Sequence, residues 1–553
     1  MEPVPTRESR ARLRTAATAG VVALIALAVR LAQLDHAPFI DEMNHVLAAR
    51  SLLEDGDLAI LDGRPYGRAW LFTYLVAALY RVLGVGLEIG RLPAVIGGVL
   101  LVCLFFIWLR RVGGAVAGWV AALLLCFAPI SIYLSQWVRF YTLHALFFWI
   151  FVLSVYRLTE GGKRALWIGV GATALLIALH LQETTLVGLG GLSAWLAVLY
   201  VPSLLRGWWR SPRRTWIGVA AAAMALTGLG VVFATGVVES TLARFGVVDD
   251  WAASRAGNVR FYHQLLEDQY GLLWALWPVA FLVALTRAPR SASLFGAIFA
   301  VALVFHSLAA WKSERYLFYA LPGMLAVWGL AVAAFVPWLT ERLRDLLARI
   351  PGPIPGRLTG IGVSAALVLV GLFAAAGVDA FRLSREMMLR PDAEWETPAG
   401  HLGEWYRGWP DWASARNLLA PVSDSAAVMI SSNDLSALFY LDRVDYVLSA
   451  GRLMQFDGSR SLEFALDWKT GRPVISAVES IDLIMDCQPS GLIVVEEHVW
   501  GWSGGVPDST AAFIASQTDE VPLPPEVGLL AFRWRNPVTA SDSLCARLSN
   551  AGP

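Results

Sequence analysis

Lysine is nearly missing from this chain of 553 residues: Lys163, Lys312 and Lys469 are the whole set, and the remaining positive charge is arginine. Such a bias is what a GC-rich bacterial genome produces. Net charge is +0, so the basic face that a nucleic-acid partner demands is not indicated. Charged residues make up only 16% of the chain against 57% hydrophobic, with a mean hydropathy of +0.56. That composition excludes an ordinary soluble domain and places the chain among polytopic membrane proteins. There is no Walker motif, no nucleotide-binding glycine pattern and no zinc spacing, so a soluble nucleotide donor has no evident cradle. Internal repeats and low-complexity tracts are lacking as well. Cysteines number 4: Cys103 and Cys126 fall in apolar stretches and read as inert small hydrophobes. Cys487 and Cys545 fall in the polar C-terminal third, where a disulfide and two free thiols are equally open.

What the chain has in plenty is apolar runs. A bilayer-crossing helix needs about 20 such residues, fewer where flanking side chains snorkel. Candidate spans are 16–34, 91–109, 113–130, 141–157, 166–180, 184–201, 216–236, 271–286, 292–310, 316–337 and 359–378. Residues 1–15 carry Arg7, Arg10, Arg12 and Arg14 and read as a cytoplasmic tail before a signal anchor. The stretch 69–84 is ambiguous. Counted as a crossing, it puts Arg110-Arg111 and the 157–164 cluster on the outer face; left out, it puts every basic cluster inside. The positive-inside rule favours the second count, making 69–84 an interfacial helix within one external loop, 35–90. The expected fold is mainly α, with about eleven transmembrane helices over 16–378 and a soluble extracytoplasmic α/β domain over 379–553. In that domain 426–431, 444–448, 491–495 and 529–534 read as strands, with helices at 434–441 and around 510–516.

With this topology the polar residues collect on the outer face. Asp41 and Glu42 sit side by side after the first span, in RLAQLDHAPFIDE. Neighbouring carboxylates near hydrocarbon are costly and can hold one proton poised for transfer. The same external loop supplies Arg64, Tyr66 and Arg68; His45, on the helix expected after the acidic pair, reads as a plain surface histidine. Arg91 opens the second span and Arg139 precedes the fourth. Lys312, Arg315 and Tyr316 stand at the outward end of the tenth span, where a helix N-terminus and two cations would hold a phosphate, or where both cations would simply snorkel. Arg30 has the same two readings, snorkelling or pairing with an acid or phosphate. His180 and Glu183, at a tight outer turn, are two of the donors a divalent metal would need, which leaves the metal question open. Acids opposite cations on one face suit group transfer from a lipid phosphate. The carboxylate takes the proton of an acceptor hydroxyl, and the cations stabilise the anionic leaving group.

At these residues the chain resembles the GT-C glycosyltransferases of the protein O-mannosyltransferase and aminoarabinose transferase kind, over roughly residues 20–340. The resemblance is carried by RLAQLDHAPFIDE, DGRPYGRAWLFTYL, the Arg91-Leu-Pro93 run, APISIYLSQWVRFYTL and KSERYLFYALPG. It implies an inverting, integral plasma-membrane transferase using a polyprenyl-phosphate sugar at the extracytoplasmic face, with a hydroxyl of a lipid, glycan or protein as acceptor. It also implies Asp41 as the base with Glu42 beside it, and Lys312, Arg315 and Arg91, joined by Arg139, around the donor phosphate. Where the protein O-mannosyltransferases carry a His-Pro-Pro-Leu-Gly-Lys-like run and aminoarabinose transferases a Lys-Pro pair, this chain reads Pro65-Tyr-Gly-Arg-Ala-Trp70, which leaves sugar and acceptor undefined. Two other classes compete. A glycolipid transporter or flippase would place its charges at mid-bilayer, and a non-catalytic envelope-assembly protein would need neither acids nor outward cations.

Overall fold

Long apolar runs in lipid leave the backbone no partner but itself, and the described residues up to Leu347 are accordingly mostly helical. The computed structural model describes residues 7–32, 34–60, 64–210, 257–347, 410–457, 463–467 and 470–535, with positions 364, 368, 371 and 545. The span expected at 216–236, that at 359–378 apart from positions 364, 368 and 371, and the domain boundary at 379 lie outside the described residues. In chain order the membrane part runs α1 (Arg7–Leu31), α2 (Ile40–Glu54), a two-strand hairpin β1 (Ala59–Ile60) and β2 (Arg64–Pro65), then α3 (Trp70–Leu83), α4 (Leu87–Gly113), α5 (Ala115–Cys126), α6 (Pro129–Ser135), α7 (Tyr141–Thr159), α8 (Arg164–Leu181) and α9 (Thr185–Arg210). Further helices follow at Phe261–Tyr270, Leu272–Ala275, Trp277–Arg287, Pro289–Leu308, Glu314–Leu317 and Leu321–Leu347.

Among the described residues five helices are long and apolar enough to cross a membrane: Leu87–Gly113, Tyr141–Thr159, Arg164–Leu181, Pro289–Leu308 and Leu321–Arg342. The bent pair α5 and α6, at 61°, makes a sixth if it counts as one span. Thr15–Leu31, Thr185–Val201 and Trp277–Arg287 are apolar but shorter, so the described residues carry the expected count of eleven only in part.

The bend has a sequence cause and a buried partner. Pro129 lacks an N–H and opens a new helix instead of continuing α5. Arg30 fills the corner: its Nε donates to Ser135 Oγ at 3.0 Å, its Nη2 to Ser131 Oγ at 2.8 Å and its Nη1 toward the Cys126 carbonyl at 3.5 Å. Gly98 makes room, since an added Cβ there would lie 2.3 Å from Ser135 Oγ and 2.7 Å from Arg30 Nε. Arg30 is fully buried, so it does not snorkel to the surface, and its side chain bonds two serines and a backbone carbonyl. It closes a broken helix.

The stretch 69–84 forms α3, only 14 residues long. Phe72, Thr73, Val76, Ala77 and Tyr80 turn inward against α2 and α4, while Trp70, Tyr74, Leu75, Val82 and Leu83 stay exposed. One apolar face packed and another open is the pattern of a helix lying along an interface.

The C-terminal part is a seven-stranded mixed sheet of β3 (Val428–Ser431), β4 (Tyr446–Leu448), β5 (Ala465–Leu466), β6 (Pro473–Ile475), β7 (Ser490–Glu496), β8 (Asp519–Glu520) and β9 (Leu529–Arg535), in the order β5-β6-β4-β3-β7-β9-β8. β6, β4, β3 and β7 are parallel; β5, β9 and β8 run antiparallel at the edges. Strand alternation gives the sheet two apolar faces. Val428, Ile430, Ile493 and Val495 pack with the helices Val478–Cys487 and Asp508–Gln517. Met429, Leu492 and Val494 join the core of the membrane part through the helices Trp412–Ser425 and Asp434–Leu441. The second of these packs on α2, so the domain lies on the side of the molecule that carries the acidic pair. Cys487 and Cys545 form a disulfide.

Candidate active site

α2 begins at Ile40, and that start decides the fate of the acidic pair. Successive residues on a helix diverge by about 100°, so Asp41 and Glu42 point to different surroundings. The Glu42 carboxylate is fully buried. It accepts from the backbone N–H of Phe39 at 2.9 Å and of Val138 at 2.7 Å, and from Arg91 Nε at 3.0 Å and Nη2 at 2.9 Å. Arg91, equally buried, also donates through Nη1 to the carbonyls of Leu34 at 2.6 Å and His36 at 2.9 Å. A buried pair with this many hydrogen bonds is a structural clamp. It fastens the entry of α2 to α4 and to the α6–α7 turn. The notion of two acids sharing one proton does not survive this geometry, and Arg91 faces Glu42 rather than an open surface.

Asp41 turns the other way and keeps 28% of its side chain exposed. Its Oδ2 accepts from Arg315 Nη1 at 2.7 Å and lies 3.6 Å from Arg139 Nη2. Arg139 Nη1 donates to the Asp41 backbone carbonyl at 3.1 Å and reaches the Tyr66 hydroxyl at 3.5 Å. Three segments remote in sequence therefore converge on one carboxylate: α2, the α6–α7 turn and the short helix Glu314–Leu317. Burial by itself would lower the affinity of Arg139 and Arg315 for their protons. The pull of Tyr141 and Asp41 outweighs it and shifts both upward, so both stay cationic.

Aromatic rings line the two guanidinium groups. Arg139 lies over Phe140 and Tyr141, with ring centroids at 5.3 and 5.7 Å; Arg315 lies over Tyr141 and Tyr316 at 5.9 and 5.6 Å. Arg68 reaches over the other side of Phe140's neighbourhood, its guanidinium 5.6 Å from that ring, and remains exposed. The backbone places it there by turning left-handed at Ala69, φ 47°, just before α3.

Behind the rings, His45 is fully buried, which corrects its reading as a surface residue. Its Nδ1 pairs with Thr73 Oγ1 at 2.9 Å and its Nε2 faces the Tyr66 hydroxyl at 3.4 Å. Burial, then the Arg139 and Arg68 charges, drive its pKa well below the ordinary value, so it is a neutral support for Tyr66.

The cationic end of the tenth span differs from expectation. Glu314–Leu317 is a separate turn and the span itself starts at Leu321, so no continuous helix N-terminus reaches Lys312 and Arg315. Lys312 is buried, and its ammonium donates to the carbonyl of Ala309 at the end of the helix Pro289–Leu308. Ser313 is held by Tyr262, which donates to its carbonyl at 2.9 Å. His180 supports α3: its Nε2 accepts from the Leu71 N–H at 3.3 Å, in the first turn of that helix. Glu183 is exposed, and among the described residues no group of three or more His, Cys, Asp or Glu side chains is placed to hold a metal. Arg64 pairs its backbone with Ile60, and its side chain lies outside the described residues.

No family model matches the chain, and no curated protein matches it. Solved structures do. The crystal structure of ArnT from Cupriavidus metallidurans bound to undecaprenyl phosphate superposes with a TM-score of 0.57 at 17% identity, covering 96% of this chain and 99% of that one. The apo state of the same protein gives a TM-score of 0.57 at 16% identity, covering 97% and 100%. The fold is the GT-C fold. On this fold, the structure brings Asp41, Arg139, Arg315, Tyr66, Arg68 and Tyr316 together. Arg91, Glu42, Arg30 and His180 are placed in supporting bonds around them. Sequence reasoning missed Tyr141, whose ring lies between the two guanidinium groups and whose buried hydroxyl has no hydrogen-bond partner among the described residues. Its position two residues after Arg139, at the head of a span, was the available signal.

Proposed function

We propose that the protein is an integral-membrane inverting glycosyltransferase that moves a sugar from a polyprenyl-phosphate donor to a hydroxyl of a lipid, glycan or protein acceptor, at the extracytoplasmic face of the plasma membrane. The observation that carries this reading is the partly exposed Asp41 carboxylate held between Arg315 and Arg139 at one end of a GT-C bundle. The undecaprenyl phosphate bound by ArnT, on the same fold, supports a lipid phosphate as donor handle. Asp41 takes the proton of the acceptor hydroxyl as its oxygen forms the new bond to the anomeric carbon. The carbon–oxygen bond to phosphate breaks, its electron pair stays on the phosphate oxygen, and polyprenyl phosphate leaves as an anion. Arg315, Arg68 and Arg139 stabilise that charge; bidentate guanidinium geometry suits phosphate oxygens. Lys312 supports the turn carrying Arg315, and Glu42 with Arg91 holds the start of α2. The C-terminal domain packs on α2 and offers a surface for an acceptor.

The test is turnover of co-purified or supplied polyprenyl-phosphate sugar by protein in lipid nanodiscs, followed by mass spectrometry. Loss of a general base lowers rate by about 10²–10⁴-fold, so Asp41→Asn reduces transfer to background. Turnover retained in that variant removes Asp41 as the base.

A further inference from the structure

An acid bonded to a guanidinium is a weak proton acceptor, because its negative charge is already satisfied. Asp41 is in that state here, its Oδ2 accepting from Arg315 Nη1 at 2.7 Å, while Arg139 Nη2, at 3.6 Å, stands beyond hydrogen-bond reach of the carboxylate. The cation that quenches the base is also one that a lipid phosphate needs. We propose that the Asp41–Arg315 ion pair is a donor-operated latch: the donor phosphate draws Arg315 off Asp41, and only the released carboxylate deprotonates the acceptor, so donor binds before acceptor. The inference rests on the glycosyltransferase reading above and adds the regulation of its base.

Three features carry it. The two arginines are anchored differently. Arg139 bonds the Asp41 backbone carbonyl and meets the Tyr66 hydroxyl, which His45 and Thr73 back in turn, so it is fixed to the frame of α2. Arg315 meets Asp41 through the carboxylate, and its guanidinium lies along the faces of Tyr141 and Tyr316, a surface over which a planar cation can slide without losing contact. Second, Asp41 cannot follow Arg315, because the buried Glu42–Arg91 pair fastens the next residue of the same helix turn. Third, an exposed cation, Arg68, stands beside the same aromatic group, so an arriving phosphate has a first contact before it competes for Arg315. A phosphate offers more charge and more acceptor oxygens than one carboxylate, which favours the exchange. When the sugar has left and polyprenyl phosphate departs, Arg315 returns to Asp41 and the base is quenched again. Enzyme with no donor bound therefore carries no active base.

The latch makes a counter-intuitive demand: the base competes with the donor, so deleting the base tightens donor binding. Binding of undecaprenyl phosphate to the full-length protein in nanodiscs reads this directly. Asp41→Asn is expected to bind it roughly tenfold more tightly than wild type, within the usual range of site-to-site coupling. Adding Arg315→Ala to Asp41→Asn is expected to abolish the gain, which a double-mutant cycle separates from a general charge effect. Asp41→Ala serves as the second variant; thermal unfolding confirms that both are folded. Unchanged or weaker binding in the two folded Asp41 variants overturns the latch and leaves the glycosyltransferase reading standing. No binding by wild type overturns that reading, and the latch with it.

Discussion

Two adjacent acids on one helix do opposite work because one is buried and the other is not. Glu42 and Arg91 are both fully buried, and removing one partner strands the other charge away from water. That costs about 3–5 kcal/mol, whereas a partly exposed ion pair contributes about 1 kcal/mol or less. Glu42→Gln is therefore expected to lower yield and melting temperature sharply in detergent, and Asp41→Asn to melt near wild type. Arg91→Lys does not rescue the pair, since an ammonium cannot reproduce the fork that meets both carboxylate oxygens and two carbonyls. A thermal-unfolding series over these variants checks the ranking; equal melting of Glu42→Gln and Asp41→Asn would refute it. The acidic pair was legible from the sequence alone as a candidate. Which of the two acids stays partly exposed was not, because it depends on where α2 starts, and Phe39 offers no side-chain cap to announce Ile40.

At the scale of elements, two buried histidines stand at the start of α2 and within it: His36 just before its first residue, His45 along its length. Burial, then Arg91, pushes His36 down to about 4, and burial drives His45 lower than its ordinary value as well. In the unfolded chain both take up a proton near pH 6.5, so below that pH the unfolded state binds more protons and stability falls. The loss is about 1.4 kcal/mol per pH unit for each histidine, continuing toward pH 4 for His36. Melting temperature measured from pH 7.5 to 5 is expected to drop, and His45→Asn to flatten the slope by about one proton; an unaltered slope would mean His45 is not neutral in the fold. Element by element, legibility followed local chemistry. The arginine distribution set 69–84 apart from the crossing helices, and it forms the short helix α3; strands at 428–431 and 490–496 and the helix Asp434–Leu441 followed apolar patterning. The separate turn Glu314–Leu317 was not foreseen, although Pro322, in the first turn of the helix Leu321–Leu347, is the residue type that favours a helix start. The corner filled by Arg30 was invisible because its partners, Ser131 and Ser135, lie more than 100 residues away.

On the scale of the whole molecule, the C-terminal domain and the helix that carries Asp41 share one core. Leu435, Leu438 and Tyr440 of the helix Asp434–Leu441 belong to the same apolar cluster as Met43, Val46 and Leu47 of α2. Outside that cluster Arg50 of α2 pairs with Asp442, a residue 55% exposed. The two contacts differ in weight. An exposed ion pair is worth about 0–1 kcal/mol, while a buried leucine contributes about 2–5 kcal/mol when cut to alanine. Docking of the domain is thus an apolar event with a charged rim, and α2, which presents Asp41 at its first turn, is held from above by it. Leu438→Asp places a carboxylate in that seam, whereas Asp442→Ala removes only the rim contact. The expectation is that Leu438→Asp lowers turnover and melting temperature together, while Asp442→Ala leaves both close to wild type. Because the Cys487–Cys545 disulfide lies on the far face of the sheet, with the cluster that excludes α2, its replacement by two serines is the control: it should lower melting temperature without lowering turnover of the folded protein. If Leu438→Asp behaves like that control, the domain does not hold α2 for catalysis, and its contact with the loop is packing alone.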